Sequence, residues 1–222
     1  MSKEPVNPLP GLVIFDCDGV LVDSEPLSIL VDQQVLADLG WSISRQEIIE
    51  RFVGRSHDHF LATVEEHLGH PLPADWEDRY QGRYREAYQQ DLRPVDGIVQ
   101  ALNVIDSRTC VASSGSHDKM RFTLGITGLW QRFEGRIFSA SDVLRGKPAP
   151  DLFLYAAAAM AVEPADCVVV EDSRAGVQAA LAAKMKVIGY AGGVTPRPQL
   201  TLPGVVVIDH MRSLPAAIAA VF

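Results

Sequence analysis

Residues Leu12–Glu25 read LVIFDCDGVLVDSE, an apolar run followed at once by clustered carboxylates. Asp16 and Asp18 are separated by a single residue, and Asp23 and Glu25 follow soon after. Like charges this close disfavour each other's ionisation unless a positive group compensates for them. The stretch therefore predicts a buried strand whose end presents two aspartates to a site that also holds positive charge.

The composition is that of an ordinary globular protein. The chain has 222 residues, of which 47% are hydrophobic and 22% are charged, and its formal net charge is −8. This length allows one domain, or one domain with an insertion. The negative charge argues against an extended surface for nucleic acid or anionic membrane, so we expect neither partner. We also expect a monomer.

Several features predict a cytoplasmic location. The first ten residues contain no apolar stretch of the signal-peptide type, and no run is long enough to span a bilayer. Cys17, Cys110 and Cys167 each lie in or beside an apolar run, which is typical of reduced, buried thiols. Cys17 lies between two aspartates, but no histidine is near it in the sequence, so we do not expect a nucleophilic thiol.

Six short runs rich in β-branched residues predict strands. Apolar runs this continuous are typical of strands that are buried on both faces of a parallel sheet. Segments rich in helix formers lie between most of them, as at Gly97–Asp106, Asp151–Met160 and Ala175–Lys184. The alternation predicts an α/β fold, a Rossmann-like doubly wound parallel sheet with helices on both faces. The predicted strands are Leu12–Phe15, Cys110–Ala112, Arg136–Phe138, Cys167–Val170, Lys186–Tyr190 and Val205–Ile208.

One long stretch interrupts this alternation, because residues 26–92 contain no convincing strand. Apolar residues recur at helical spacing up to Gly40, and Ser44 begins a capping-box pattern that opens a second helix. Two further helices are expected at Asp58–Leu68 and Asp75–Gln90. The predicted domains are an α/β core of residues 1–25 and 94–222 and an inserted α-helical domain of residues 26–93.

Polar residues follow four of the predicted strands, and ligand sites in open α/β sheets form at the carboxyl ends of strands. Grouped carboxylates suit Mg²⁺, whose charge allows crowded aspartates to remain ionised. A carboxylate can attack phosphorus, and a second carboxyl group can protonate the leaving oxygen and later activate water. The sequences are Asp16-Cys17-Asp18-Gly19, Ser113-Ser114-Gly115, Arg145-Gly146-Lys147-Pro148 and Glu171-Asp172-Ser173.

Taken together and in this order, the four sequences resemble the motifs of the haloacid dehalogenase superfamily. DCDGVLVDSE matches its DxDG motif, VASSGS its Ser/Thr motif, GKPAPD its lysine motif and VVVEDSRAG its acidic metal motif. The resemblance covers nearly the whole chain, and it is greatest to the small-helical-cap subgroup of β-phosphoglucomutase, phosphoglycolate phosphatase and 6-phosphogluconate phosphatase. It implies that the inserted helices form a cap domain.

The resemblance also implies a role for each motif residue. Asp16 would be the nucleophile, and Asp18 would be the general acid and base. Ser113 and Lys147 would act on the transferred phosphoryl group. The same group would be bound by the next two residues of the Ser/Thr motif, Ser114 and Gly115. A second interpretation of Ser113–Gly115 is that these residues cap the helix that begins near His117.

Mg²⁺ is the cofactor that the resemblance implies. Its expected ligands are Asp16, the backbone carbonyl of Asp18 and the carboxylate of Asp172. Glu171 is expected to bind the metal directly or through water. Charge in the first turn of a helix is the alternative explanation of Glu171 and Asp172.

Two features of the predicted cap concern the substrate. Residues 52–57 fall in the substrate-specificity loop of the family, where Arg55 and His57 are candidate contacts for a second anionic or hydroxylated part of the substrate. Charge on a surface loop is the alternative. Four aromatic residues repeat every fourth position, and this spacing favours packing in the core of the cap over a sugar-stacking surface. They are Trp76, Tyr80, Tyr84 and Tyr88.

The expected activity is Mg²⁺-dependent hydrolysis of a small phosphorylated metabolite, a sugar or sugar-acid phosphate, through an aspartyl phosphate. A β-phosphoglucomutase-like phosphohexomutase is the enzymatic alternative. Ser28 stands where the mutase typically carries a histidine, and His57 corresponds by spacing to its cap arginine, so both differences favour hydrolysis. A non-catalytic phosphometabolite-binding protein is the alternative from another class, but it would have no reason to keep both Asp16 and Asp18.

Two other activities known in the superfamily do not fit this sequence. Dehalogenases lack the second aspartate of the DxDG motif, so Asp18 argues against that chemistry. Phosphonatases need a cap lysine for a Schiff base, and residues 26–92 contain no lysine.

Overall fold

The computed structural model describes residues 9–53 and 57–222. It divides the chain into two compact units. The sheet unit consists of Met1–Val22 and Pro94–Phe222, and the helical unit consists of Asp23–Arg93. The helical unit therefore interrupts the sheet unit soon after its first strand.

From residue 9 onward, the sheet unit is built on six parallel strands, which confirms the predicted α/β fold class. Their spatial order is β3-β2-β1-β4-β5-β6. The first strand is thus central, and the chain builds one half of the sheet before it crosses to build the other. The strands are β1 (Leu12–Phe15), β2 (Arg108–Ser113), β3 (Ile137–Ser139), β4 (Cys167–Glu171), β5 (Lys186–Tyr190) and β6 (Val205–Ile208).

Helices cover both faces of this sheet. Alternate residues of a strand point to opposite faces. Ile14 belongs to a buried cluster that includes Phe153, whereas the ring of its neighbour Phe15 packs edge-on against Phe133, with ring centroids 6.1 Å apart. The helices are α5 (Ile98–Val104), α6 (His117–Ile126), α7 (Trp130–Phe133), α8 (Asp151–Ala159), α9 (Arg174–Ala182), α10 (Arg197–Leu200) and α11 (Leu214–Val221), and short 3₁₀ turns lie at Ala140–Asp142, Pro164–Asp166 and Met211–Ser213.

The helical unit, as far as it is described on either side of residues 54–56, contains four helices that precede these in the chain, α1 (Glu25–Asp38), α2 (Arg45–Arg51), α3 (His57–Leu68) and α4 (Trp76–Asp91). The predicted capping box is present. The Ser44 hydroxyl accepts a hydrogen bond from the Glu47 backbone N–H, and the Glu47 carboxylate accepts one from the Ser44 backbone N–H. Across the described residues of both units, no helix combines the length and the apolar character needed to span a membrane.

The aromatic stripe of α4 packs inside the helical unit, as its spacing predicts. Trp76 and Tyr80 are buried in one cluster with Val31 and Val35 of α1. The Tyr84 hydroxyl donates to Oδ1 of Asp32, also on α1, over 2.5 Å. Burying the aromatic surface against α1 stabilises the helix pair, as expected for residues in the core of the helical unit.

The crossover after β1 depends on hydrogen bonds that extend the strand. β1 pairs in register with β4, Phe15 opposite Val170, and the Asp16 N–H donates to the Val170 carbonyl over 3.0 Å. Gly19 then adopts a φ of +74°, a left-handed conformation that favours glycine, and its N–H donates to the Val22 carbonyl over 2.8 Å. This turn fixes the backbone that carries both aspartates.

Gly176, in the first turn of α9, lies directly against the end of β4. A Cβ atom added there would fall 1.8 Å from Oε1 of Glu171, a residue with no exposed surface. We predict that Gly176→Ala lowers the free energy of unfolding by about 1–3 kcal/mol, because the buried carboxylate must move. Urea unfolding followed by circular dichroism measures the change.

Gly125→Ala is the matched control for this substitution. Gly125 is also helical, but a Cβ atom there would meet nothing within 4 Å. The higher helix propensity of alanine is expected to leave its stability unchanged or to raise it by up to about 1 kcal/mol. A Gly176→Ala protein as stable as the wild type would show that α9 does not close on Glu171 as described.

Candidate active site

The predicted site residues of the sheet unit gather at one edge of the sheet. Asp16 follows β1, Ser113 ends β2, and Glu171 ends β4 with Asp172 directly after it. These three strands are neighbours in a parallel sheet, so their carboxyl ends lie side by side. All four residues are buried. The edge therefore concentrates carboxylates where water does not solvate them fully.

Lys147 supplies the positive charge that this edge requires. Its Nζ donates to Oδ1 of Asp16 over 2.5 Å, to Oε1 of Glu171 over 2.6 Å and to the Ala112 carbonyl over 3.1 Å. The Lys147 side chain is only 4% exposed. A buried charge is costly unless it is paired and hydrogen-bonded, and each of the three ammonium hydrogens has an acceptor here. We call Asp16, Lys147 and Glu171 the buried triad.

Burial and the neighbouring charges of the triad shift the pKa values of Asp16 and Lys147. Burial raises the pKa of Asp16 to about 7, and Glu171 and Asp18 also raise it, although Lys147 lowers it. Burial alone would lower the pKa of Lys147, but the Asp16 and Glu171 carboxylates outweigh it and raise that pKa. Lys147 therefore stays protonated. The positive charge around Asp16 is too small to let this carboxyl group ionise as easily as it would in water.

Glu171 is held through both of its carboxylate oxygens. Oε1 accepts from Lys147, and Oε2 accepts from the Ser173 N–H over 3.0 Å and from the Ser173 hydroxyl over 2.8 Å. Ser173 also caps α9, since its hydroxyl accepts from the Gly176 N–H over 3.0 Å. These contacts make Glu171 a link between Lys147 and the start of α9.

The loop between β2 and α6 brings the Ser/Thr motif close to Asp18. The Ser113 hydroxyl accepts from the Gly115 N–H over 3.1 Å. A Cβ atom on Gly115 would lie 3.5 Å from both Oδ2 of Asp18 and Oγ of Ser113. Ser114 is exposed. The cap of α6 is Ser116, so Ser113–Gly115 lie before the helix cap and are not its capping residues.

Lys119 is a residue of this region that the sequence motifs did not single out. Its Nζ lies 2.8 Å from Oδ2 of Asp18, although the two residues are 101 positions apart in the chain. The Ser116 side chain accepts from the Lys119 N–H over 3.3 Å, which places the lysine in the first turn of α6. The sequence does contain Ser116 three residues before Lys119. This pattern predicts where the helix begins, but it does not predict the contact with Asp18.

The thiol of Cys17 is not suited to nucleophilic attack. It is fully buried, and burial together with the charges of Asp18 and Asp16 raises its pKa well above the ordinary value. The reactive form of cysteine is the thiolate, which this setting disfavours. Cys110 and Cys167 are also buried free thiols.

Two predicted substrate contacts are not placed by the structure. Arg55 lies outside the described residues. His57 begins α3, but its side chain lies outside the described part as well. Both stay predictions.

The residues that fit a magnesium ion are those with hard oxygen donors at the ends of β1 and β4. Asp16 and Asp172 follow adjacent strands and are buried, and the Asp18 carbonyl lies in the same loop as Asp16. Among the described residues, no group of three or more His, Cys, Asp or Glu side chains is arranged to hold a metal ion. Two carboxylates and one carbonyl do not form such a group, but they suit Mg²⁺, which usually keeps several waters and binds few protein ligands.

Comparisons with known proteins identify relatives that span nearly the whole chain. The 6-phosphogluconate phosphatase of Escherichia coli is 30% identical over 204 residues, which are 91% of this chain and 92% of the relative. A haloacid dehalogenase-like protein of unknown function from Agrobacterium tumefaciens has a solved structure with a TM-score of 0.83 and 39% identity, covering 95% of this chain and 98% of that one.

A second solved structure is of a hydrolase from Deinococcus radiodurans with bound phosphate and sodium. Its TM-score is 0.74 and its identity 31%, and the match covers 95% of this chain and 96% of that one. The named relatives are in keeping with the prediction of a phosphoric monoester hydrolase. A model of the haloacid dehalogenase-like hydrolases matches residues 10–184, a range that contains the buried triad, Asp18 and Lys119. The chain belongs to the haloacid dehalogenase-like hydrolase family.

Proposed function

We propose that the chain is a Mg²⁺-dependent phosphatase that hydrolyses a small phosphorylated metabolite through an aspartyl phosphate on Asp16. The observation that carries this proposal is the buried triad, in which a lysine that stays protonated holds one oxygen of Asp16 at 2.5 Å. A lysine in this position orients the carboxylate and stabilises the negative charge of an incoming phosphoryl group. Asp18, two residues on, provides the second carboxyl group that the chemistry needs.

In the first proposed step, a carboxylate oxygen of Asp16 attacks phosphorus and the bond between phosphorus and the ester oxygen breaks. Asp18 gives its proton to the departing oxygen, which leaves as an alcohol. Lys147, the Ser113 hydroxyl and the backbone N–H group of Ser114 stabilise the transferred phosphoryl oxygens, and the Gly115 N–H holds the Ser113 hydroxyl in place.

In the second proposed step, water attacks the phosphorus of the aspartyl phosphate. Asp18, now ionised, takes a proton from that water, and the bond between phosphorus and Asp16 breaks. Inorganic phosphate leaves, and both aspartates return to their starting states. The two steps balance with water as the only co-reactant.

We propose that Asp16, Asp172 and the Asp18 carbonyl hold the magnesium ion, with Glu171 bound to it directly or through water. When bound, Mg²⁺ supplies positive charge that offsets the phosphoryl oxygens. The burial of Asp16 and Asp172 at the ends of adjacent strands supports a cation here, because a positive ion beside buried carboxylates favours their ionised form. The phosphate and sodium bound by the Deinococcus radiodurans relative are in keeping with a site for an anion and a hard cation.

The substrate class and the cell compartment belong to the same proposal. The phosphatase name of the Escherichia coli relative supports a sugar or sugar-acid phosphate. We propose that the helical unit is a cap domain that determines selectivity, with Arg55 and His57 as the residues to test first. The buried free thiols are in keeping with a cytoplasmic protein.

A screen of phosphorylated metabolites for phosphate release in the presence of Mg²⁺ tests the proposed activity. We predict that the wild type releases phosphate from at least one sugar or sugar-acid phosphate, and that Asp16→Asn reduces release to the background rate, because the amide is a poor nucleophile. Asp209→Asn is the matched control, since this aspartate is 58% exposed and pairs with Arg197. It is expected to retain full activity.

The same screen separates the alternatives. A phosphohexomutase would form an isomeric sugar phosphate faster than free phosphate, and a binding protein would form neither product. Either outcome would contradict the proposed hydrolysis. Urea unfolding of Asp16→Asn verifies that lost activity does not reflect lost structure.

Removal of divalent metal tests the proposed cofactor. We predict that chelation stops phosphate release and that added Mg²⁺ restores it. We also predict that Mg²⁺ raises the thermal unfolding midpoint of the wild type but not that of Asp172→Asn, because a ligand that binds only the folded state stabilises it. Full activity after complete removal of metal would show that the site works without the ion.

A further inference from the structure

Asp18 has a lysine partner of its own, separate from the buried triad. Lys119 Nζ lies 2.8 Å from Oδ2 of Asp18, and the two side chains are 38% and 23% exposed. Each of the two aspartates in the first motif is therefore paired with a different lysine, Asp16 with Lys147 and Asp18 with Lys119. Lys119 lies outside all four motifs that identify the family.

The backbone of Lys119 is fixed by the first turn of α6. Its N–H donates to the Ser116 side chain over 3.3 Å, and its carbonyl accepts from the Thr123 hydroxyl over 3.0 Å. Thr123 is fully buried, which anchors the turn to the sheet unit. The helix start thus sets where the lysine side chain begins.

The loop before α6 is braced against the end of β3. The Ser139 hydroxyl donates to the Gly115 carbonyl over 2.8 Å, and His117 Nε2 lies 2.9 Å from Oδ1 of Asp142. Gly115 lies close to both Asp18 and Lys119, since a Cβ there would be in ordinary van der Waals contact, 3.5 Å from Oδ2 of Asp18 and from Cδ of Lys119. The contact between Lys119 and Asp18 is therefore supported by hydrogen bonds before the lysine, at Gly115, and after it, at Thr123.

An ion pair that remains partly exposed to water contributes little to stability, so stability alone gives no reason for this arrangement. The need to orient Asp18 does give a reason, because a general acid must reach the oxygen to which it gives its proton. We propose that Lys119 is a positioning residue that holds Oδ2 of Asp18 and directs Oδ1 toward the leaving oxygen and later toward the attacking water. The proposal rests on the proposed function, and it assigns the transferred proton to Oδ1. Lys119 itself keeps its protons throughout.

The role of Lys119 has a signature in the choice of leaving group. Alkyl phosphates expel a basic oxygen that needs protonation, whereas a nitrophenyl phosphate expels a stable anion that hardly needs it. Loss of Asp18 orientation should therefore damage turnover of alkyl phosphates most. General acid catalysis accelerates a reaction about 10²–10⁴-fold, so a misplaced acid can lower the rate by a large factor.

The experiment compares kcat/KM for nitrophenyl phosphate, phenyl phosphate and the best alkyl phosphate, in wild type and in Lys119→Met. We predict a loss on the order of 10- to 100-fold for the alkyl phosphate and a much smaller loss for nitrophenyl phosphate. Lys119→Arg keeps a charged donor and should recover part of the lost alkyl rate. Arg121→Met removes one positive charge from the same helix, where Arg121 lies over the Trp130 ring, and should change none of the three kcat/KM values.

Equal losses for all three substrates would overturn the proposal, because they would mean that Lys119 binds the phosphoryl group or supports the fold. Unchanged rates in Lys119→Met would overturn it as well. A wild type that releases phosphate from no substrate would overturn the proposed function and this role with it. Urea unfolding of each variant separates a misfolded protein from a folded one with a misplaced acid.

Discussion

The constraint on which this structure depends is the burial of one ammonium group between two carboxylates at the edge of the sheet. Lys147, Asp16 and Glu171 come from three separate segments, and a buried charge without its partner would cost several kcal/mol. The pairing of β1 with β4 must therefore place Asp16 beside Glu171, and α9 must begin close enough to hold the second oxygen of Glu171. Sheet register, helix start and site geometry satisfy the same electrostatic requirement.

Two aspartates separated by a single residue have different surroundings. Asp16 is buried, and one of its oxygens is held by a lysine that is itself buried. Asp18 is only partly buried, and its lysine lies on the first turn of a helix. Pairs of carboxyl groups in unlike environments are how many enzymes assign unlike tasks to the same chemical group. The proposed division into a nucleophile and an acid comes from the motif, and each of the two carboxyl groups has a lysine partner of its own.

Local features of the fold could be read from the sequence, and features that depend on packing could not. The strands Leu12–Phe15, Lys186–Tyr190 and Val205–Ile208 match their predicted bounds, because continuous apolar runs are a local signal. The motif order indicated which residues share one edge of the sheet. It did not indicate that both oxygens of Glu171 accept hydrogen bonds from Lys147 and Ser173, or that Lys119 meets Asp18. These contacts depend on where helices and loops pack, which residue spacing does not encode.

Detection of phosphate on Asp16 is the most direct test of the central claim. Wild type is mixed with its best substrate and Mg²⁺, stopped with acid during turnover, and analysed by peptide mass spectrometry, with Asp16→Asn as the control. We predict a phosphoryl adduct on the peptide that contains Asp16, removable by hydroxylamine as expected for an acyl phosphate and absent from Asp16→Asn. Phosphate release at the full rate with no adduct in wild type, or with an adduct on another residue, would contradict the account.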